Sequence, residues 1–233
     1  MVLFYAALAG VTFLAGGVSG SLWRTSPRVT SWLLHFAAGV VFAVLASELL
    51  PEIRSMQGHG AFPVIVGFLA GACAMVLLGW ATGESDQGKR SARGLLLVVA
   101  IDVLLDGVLI GIGFAGAPRT AKIIAIGIAT EMLPMGISVA RSLRESGTTP
   151  LRAAMGCAGL ALLPVGGAAA AAALAGVAGT SLIAGLLAFG AAALLYLVTE
   201  ELLIEAHEHL QGRLDTALFF LGFAAVLFLD AAA

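Results

Sequence analysis

Val98-Val99-Ala100-Ile101-Asp102-Val103-Leu104-Leu105-Asp106-Gly107 is apolar on every side except for two carboxylates four residues apart. It sits inside a longer apolar run, 95–116, bounded by Arg93 and Pro118. A helix crosses the hydrocarbon core of a bilayer with about 20 such residues. Working outward, seven further runs meet or approach that length, giving spans at roughly 2–23, 31–50, 61–82, 95–116, 121–141, 153–177, 180–203 and 215–231. The whole chain has 233 residues, 60% of them hydrophobic and 11% charged, with 30 glycines. Soluble domains carry about 25% charge, so the deficit excludes a soluble enzyme. A net charge of -2 leaves no basic footprint for nucleic acid. The fold expected is all-α: one polytopic membrane domain over 1–233 with eight transmembrane helices.

Orientation follows from Lys and Arg in alternate loops. Arg24, Arg28, Lys89, Arg90, Arg93, Arg141, Arg144, Arg152 and Arg213 fall after the odd-numbered spans, against Arg54, Arg119 and Lys122 after the even ones. The odd loops are therefore read as cytoplasmic and both termini as outside. The first run has no early basic residue and no cleavage pattern, and is read as a span, not a removed signal. Short loops suggest a bacterial cytoplasmic membrane. Cys73 and Cys157 lie in apolar runs and suggest neither a disulfide nor a thiolate metal motif.

A carboxylate at mid-bilayer costs roughly 2.5–3.5 kcal/mol on insertion scales and marks function by default. Asp102 and Asp106 share a helix face, about 6 Å apart along the axis. Glu131 lies midway along the next span, in Glu131-Met132-Leu133-Pro134-Met135-Gly136, with Met135 one turn on. No Lys or Arg occupies the middle of any span. Such carboxylates need a cation or protons; the alternative is a protonated set hydrogen-bonded across helices. Pro134 is expected to break its helix beside Glu131, and Pro164, followed by Gly166-Gly167, to break the sixth span. The alanine-rich run 168–175 and Gly67-x-x-x-Gly71 permit close helix packing, the latter offering a homodimer face.

These segments resemble the ZIP family of metal-ion transporters. Glu48-Leu49-Leu50-Pro51-Glu52 is similar to the family's second span, which ends in His-Leu-Leu-Pro-Glu. Tyr196-Leu197-Val198-Thr199-Glu200-Glu201-Leu202, continuing to Glu205-Ala206-His207-Glu208, is similar to its seventh. The resemblance implies a ZIP-like bundle carrying a divalent metal such as zinc, manganese or iron toward the cytoplasm, through a centre between the fourth and fifth spans. The family's fourth span reads His-Asn-x-x-Glu-Gly and its fifth a polar pair, then x-Pro-Glu-Gly. One family metal position falls here on Asp102, Asp106, Glu131 and Met135. The other falls on Val103, Met132 and Leu163, all apolar. The implied centre thus keeps one position and loses the other, and histidine with it.

Carboxylates with water suit harder ions such as manganese or magnesium, and nearby thioethers soften the site. Three negative charges against one divalent ion would offer metal–proton exchange. Glu48 and Glu52 are read as an entrance, and Glu200, Glu201, Glu205, His207 and His209, with Glu208 beside them, as an exit. His35, at the start of the second span, and His59 are read as interfacial. The alternative to transport is a non-transporting membrane metal sensor or scaffold. A hydrolase is disfavoured, because four histidines include none at mid-membrane and no nucleophile elbow is present. The partners expected are metal ions, the lipid bilayer and a second copy of the chain.

Overall fold

Every long apolar run becomes a helix, because in lipid only a helix satisfies its own backbone groups within one segment. The computed structural model describes residues 1–23, 26–56, 61–81, 92–202, 204 and 213–232, and these residues contain no strand. Eight helical segments are long and apolar enough to cross a membrane. They are Val2–Leu22, Arg28–Ser55, Ala61–Trp80, Leu96–Gly116, Pro118–Glu145, Pro150–Ala175, Thr180–Glu200 and Leu214–Ala231, here the first to eighth spans.

Glycine decides which spans touch. Side chains at Gly16 and Gly20 would strike Leu133 and Ile137, so the first span lies against the fifth. Gly39 and Gly222 join the second to the eighth through Phe219 and Phe36. Gly67 and Gly71 press on Gly185 and Phe189 of the seventh, and Gly107 and Gly167 join the fourth to the sixth at Pro164 and Leu104. These four pairs are the most extensive in the molecule. In the first and third of them residue numbers rise together along both partners, so paired spans run in the same direction. The Gly67-x-x-x-Gly71 face, expected to be open for a second copy, is instead consumed inside the chain. Backbones brought this close gain dispersion contacts that lipid tails cannot match.

The pairing has an internal symmetry. Exchanging first with sixth, second with seventh, third with eighth and fourth with fifth reproduces the same four pairs. Each exchange swaps an odd for an even span, which defines an inverted repeat. A local irregularity marks the same relation: one π-helical turn spans Leu45–Leu49 in the second span and another Val198–Leu202 in the seventh. Each contains the start of a similar string, Glu48-Leu49-Leu50-Pro51-Glu52 or Glu201-Leu202-Leu203-Ile204-Glu205, at the same separation along the chain. Pro51 withholds the amide that would bond the Ser47 carbonyl and so favours the wider turn. The seventh span forms its turn with Ile204 at that place, so proline is not the sole cause.

Prolines behave unequally. At Pro164 the sixth span breaks as the sequence suggests: helix Pro150–Leu160 ends, Ala161 and Leu162 form a turn, and helix Leu163–Ala175 begins. Pro134 does not break the fifth span, which is helical from Pro118 to Glu145. The expected break there is corrected. Pro134 is buried and flanked by Gly136, which seats on Phe13, and Leu133, which meets Gly16. Packing on the first span holds the helix through the missing hydrogen bond, as neighbouring helices often do in membranes. The second span also runs on past residue 50 to Ser55, placing Glu52 inside a helix.

Candidate metal centre

The fourth and fifth spans form a hairpin around Ala117, with Gly113 against Ala121 near its bend. Following the two helices away from that bend, Asp106 and then Asp102 come level with the turn that carries Glu131. Their residual exposures are 3% for Asp102, 1% for Asp106 and 0% for Glu131. Glu131 interacts electrostatically with Asp102 and lies beside the Asp106 carboxyl. The three side chains chosen from sequence are thus brought together, inside the bundle and between the two spans that the inverted repeat exchanges.

Glycines on either side make this possible. Gly127, one turn before Glu131, receives the Val44 side chain of the second span, and Gly136, just after it, seats on the first. Gly107, next to Asp106, lies so close to Pro164 that a Cβ would stand 2.7 Å from its Cα. The carboxylates therefore project from helices clamped on several sides.

Both carboxylate oxygens of Glu131 and Oδ2 of Asp106 are buried from solvent, and the Asp106 and Glu131 carboxyl groups lie within reach of a hydrogen bond to each other. Leaving a buried charge unpaired costs several kcal/mol, and a native fold retains such groups for a reason. The basic residues of the fifth span, Arg119, Lys122, Arg141 and Arg144, sit near its ends, too far along the helix to compensate Glu131. Among the described residues no three His, Cys, Asp or Glu side chains are placed so that they could hold a metal ion together. Met132 is fully buried beside Glu131, and Met135 is 7% exposed one turn on. Val103 is fully buried as well.

The residues expected at the two mouths are treated unequally. Glu48 is buried on the π turn of the second span, beside Thr120 and Asp230. Arg119 closes this corner, donating from Nη2 to the Asp230 carbonyl at 2.8 Å and pairing with its Oδ1 at 3.4 Å. Glu52 is half-buried near Gly116. Glu200 is exposed, and Glu201 belongs to the second π turn. Glu205, His207, Glu208, His209 and His59 lie outside the described residues.

Sequence reasoning missed a buried polar group. His35 is 4% exposed, and its Nδ1 lies 2.9 Å from the Ser31 carbonyl. Thr30, Ser31 and Asp215 are buried too, and Arg141 donates to Thr30 Oγ1 at 3.3 Å. His35 and Asp215 stand one turn before Gly39 and Phe219, which touch, so the two lie at the same level of paired helices. The spacing Asp215-x-x-x-Phe219-x-x-Gly222 on an otherwise apolar span was the available signal.

No protein-family model matches the chain. It is 30% identical over 213 residues to the zinc transporter GufA of Myxococcus xanthus, an alignment covering 84% of this chain and 70% of that protein.

Proposed function

The chain belongs to the ZIP family of metal transporters, and from that premise we propose that it carries a divalent metal ion through a single centre of Asp102, Asp106 and Glu131, with Met135 beside it. The observation that supports this most is the fully buried carboxylate of Glu131 facing two aspartates, with no basic side chain on its own helix nearby. Anionic oxygens gathered without a basic partner form a cation site that passing ions fill. Its place between the two helices exchanged by an inverted repeat is where transporters of this build hold their ions.

Zinc, the metal in the relative's name, is the first substrate to test, with manganese and iron(II) next. Membership of the family implies transport toward the cytoplasm, and the distribution of Lys and Arg puts both termini outside. Glu48 and Glu52 then stand at the entrance, and Glu200, Glu201, Glu205, His207 and His209 at the exit. The membrane is assigned as a bacterial cytoplasmic membrane. Reconstituted into liposomes, the wild-type chain takes up zinc saturably, and Asp106→Asn abolishes uptake while keeping the size-exclusion profile of the folded protein. Uptake by Asp106→Asn at the wild-type rate would overturn the proposal.

A further inference from the structure

Resting on the transport reading above, we infer that Arg119 is a positioning residue at the entrance: a tethered cation that latches the first turn of the fifth span to the last turn of the eighth, beside Glu48, and that lets go when a metal ion enters. The fifth span carries Glu131, so what holds its first turn also controls the approach to the centre. Arg119 and Thr120 open helix Pro118–Glu145, and Asp230 lies in the last turn of helix Arg213–Ala232. Arg119 Nη2 donates to the Asp230 carbonyl at 2.8 Å and stands 3.4 Å from its Oδ1. The Glu48 carboxyl, on the π turn of the second span, lies within hydrogen-bond reach of both Thr120 and Asp230. Three spans meet at this one polar corner.

Two carboxyl groups this close share a proton or stand beside a cation. The guanidinium supplies that positive charge from within the chain, and an arriving divalent ion is drawn to the same carboxyls and competes with it. The strength of the contact suits the role. The Arg119 and Asp230 side chains are 63% and 43% exposed, and an exposed ion pair is weak enough to open in every cycle. Glu48, by contrast, is 6% exposed, so the latch covers a group that is already withdrawn from solvent. The way inward from there is short. Val44, one turn before Glu48, is buried and seats on Gly127, itself one turn before Glu131. Parting the fifth span from the second and eighth at Arg119 therefore loosens the contact that separates the mouth from the centre.

The test uses the full chain in detergent, carrying Cys73→Ala, Cys157→Ala and Val44→Cys, with the new thiol labelled by a water-soluble maleimide. Adding Arg119→Ala is expected to speed labelling about two- to fivefold, the factor that an exposed ion pair corresponds to. Arg119→Lys, which keeps the charge, is expected to restore most of the slow rate. Should Val44→Cys fail to fold, amide hydrogen exchange over residues 45–55, compared between the native sequence and Arg119→Ala, reads the same opening. In liposomes Arg119→Ala is expected to lower the KM for zinc, because the competing cation is gone, an effect that mere loss of structure would not produce. Unchanged opening, a rise that Arg119→Lys does not reverse, or a KM that stays the same or climbs would each overturn the inference and leave the transport reading intact. Faster opening in Arg119→Ala, with no uptake of zinc, manganese or iron(II) by the wild type, would overturn the transport reading and leave the latch in place.

Discussion

Gly107→Ala perturbs the contact that holds the helix of Asp102 and Asp106, the first helix of the proposed metal centre, in place. The added Cβ would stand 2.7 Å from both the Cα and the carbonyl carbon of Pro164. Ordinary contact begins near 3.4 Å and the Pro164 carbonyl oxygen is nearer still, so the two backbones must part by at least about 0.7 Å, and no side-chain rotation can relieve the clash because the obstructing atoms are main chain. Overpacking of this kind costs about 1–3 kcal/mol. Gly166→Ala, on the partner helix, is the matched control: nothing lies within 4 Å of its Cβ position. Both substitutions share the gain of roughly 0.5–1 kcal/mol from replacing a helical glycine, so their difference isolates the clash. For a chain of this size that difference is roughly 2–4 °C in midpoint per kcal/mol. Thermal unfolding of the purified variants in detergent, followed by tryptophan fluorescence, reads it. Gly107→Ala should melt several degrees below Gly166→Ala and should transport more slowly, because Asp106 is displaced with the helix. Equal melting temperatures would refute the packing that positions the centre.

Glu131→Gln should leave the apo protein as stable as the wild type or more so, since it removes a buried charge that has no basic partner on its helix. It should also erase the metal-induced stabilisation, which for the wild type reaches about 2.7 kcal/mol at a hundredfold excess over the dissociation constant and is read as a rise in melting temperature. Gly71→Leu should lower the melting temperature without changing the oligomeric state read by light scattering, because its face packs on the seventh span; loss of a dimer with the fold preserved would contradict that. Arg119→Ala should change stability by no more than about 1 kcal/mol, its ion pair with Asp230 being largely exposed; a larger loss in urea unfolding would show that this corner is structurally essential.

The spans and the carboxylate trio were legible because each rests on a cost that sequence displays directly. Apolar runs of membrane length have one stable outcome, and Asp102, Asp106 and Glu131 are too expensive at mid-bilayer to be incidental. Partner choice was not legible. Gly67-x-x-x-Gly71 shows a face on which another helix can lie, yet only the structure identifies the seventh span as that helix. Pro134 and Pro164 look alike in sequence and behave differently, because packing on the first span supports one and the sixth span turns at the other. Arg119 and Asp230 are 111 residues apart, and His35 and Asp215 come level only once the second and eighth spans pair. The two π turns are visible in sequence as repeated Glu-Leu-Leu strings, but their geometry is a property of the folded helices.

The most direct test of the central claim is zinc flux into liposomes bearing the wild-type chain or Glu131→Gln at matched protein density, since Glu131 is the carboxylate that faces both aspartates. Saturable flux in the wild type and background leakage in Glu131→Gln is the predicted result. Equal flux in the two would place the path of the ion elsewhere in the bundle.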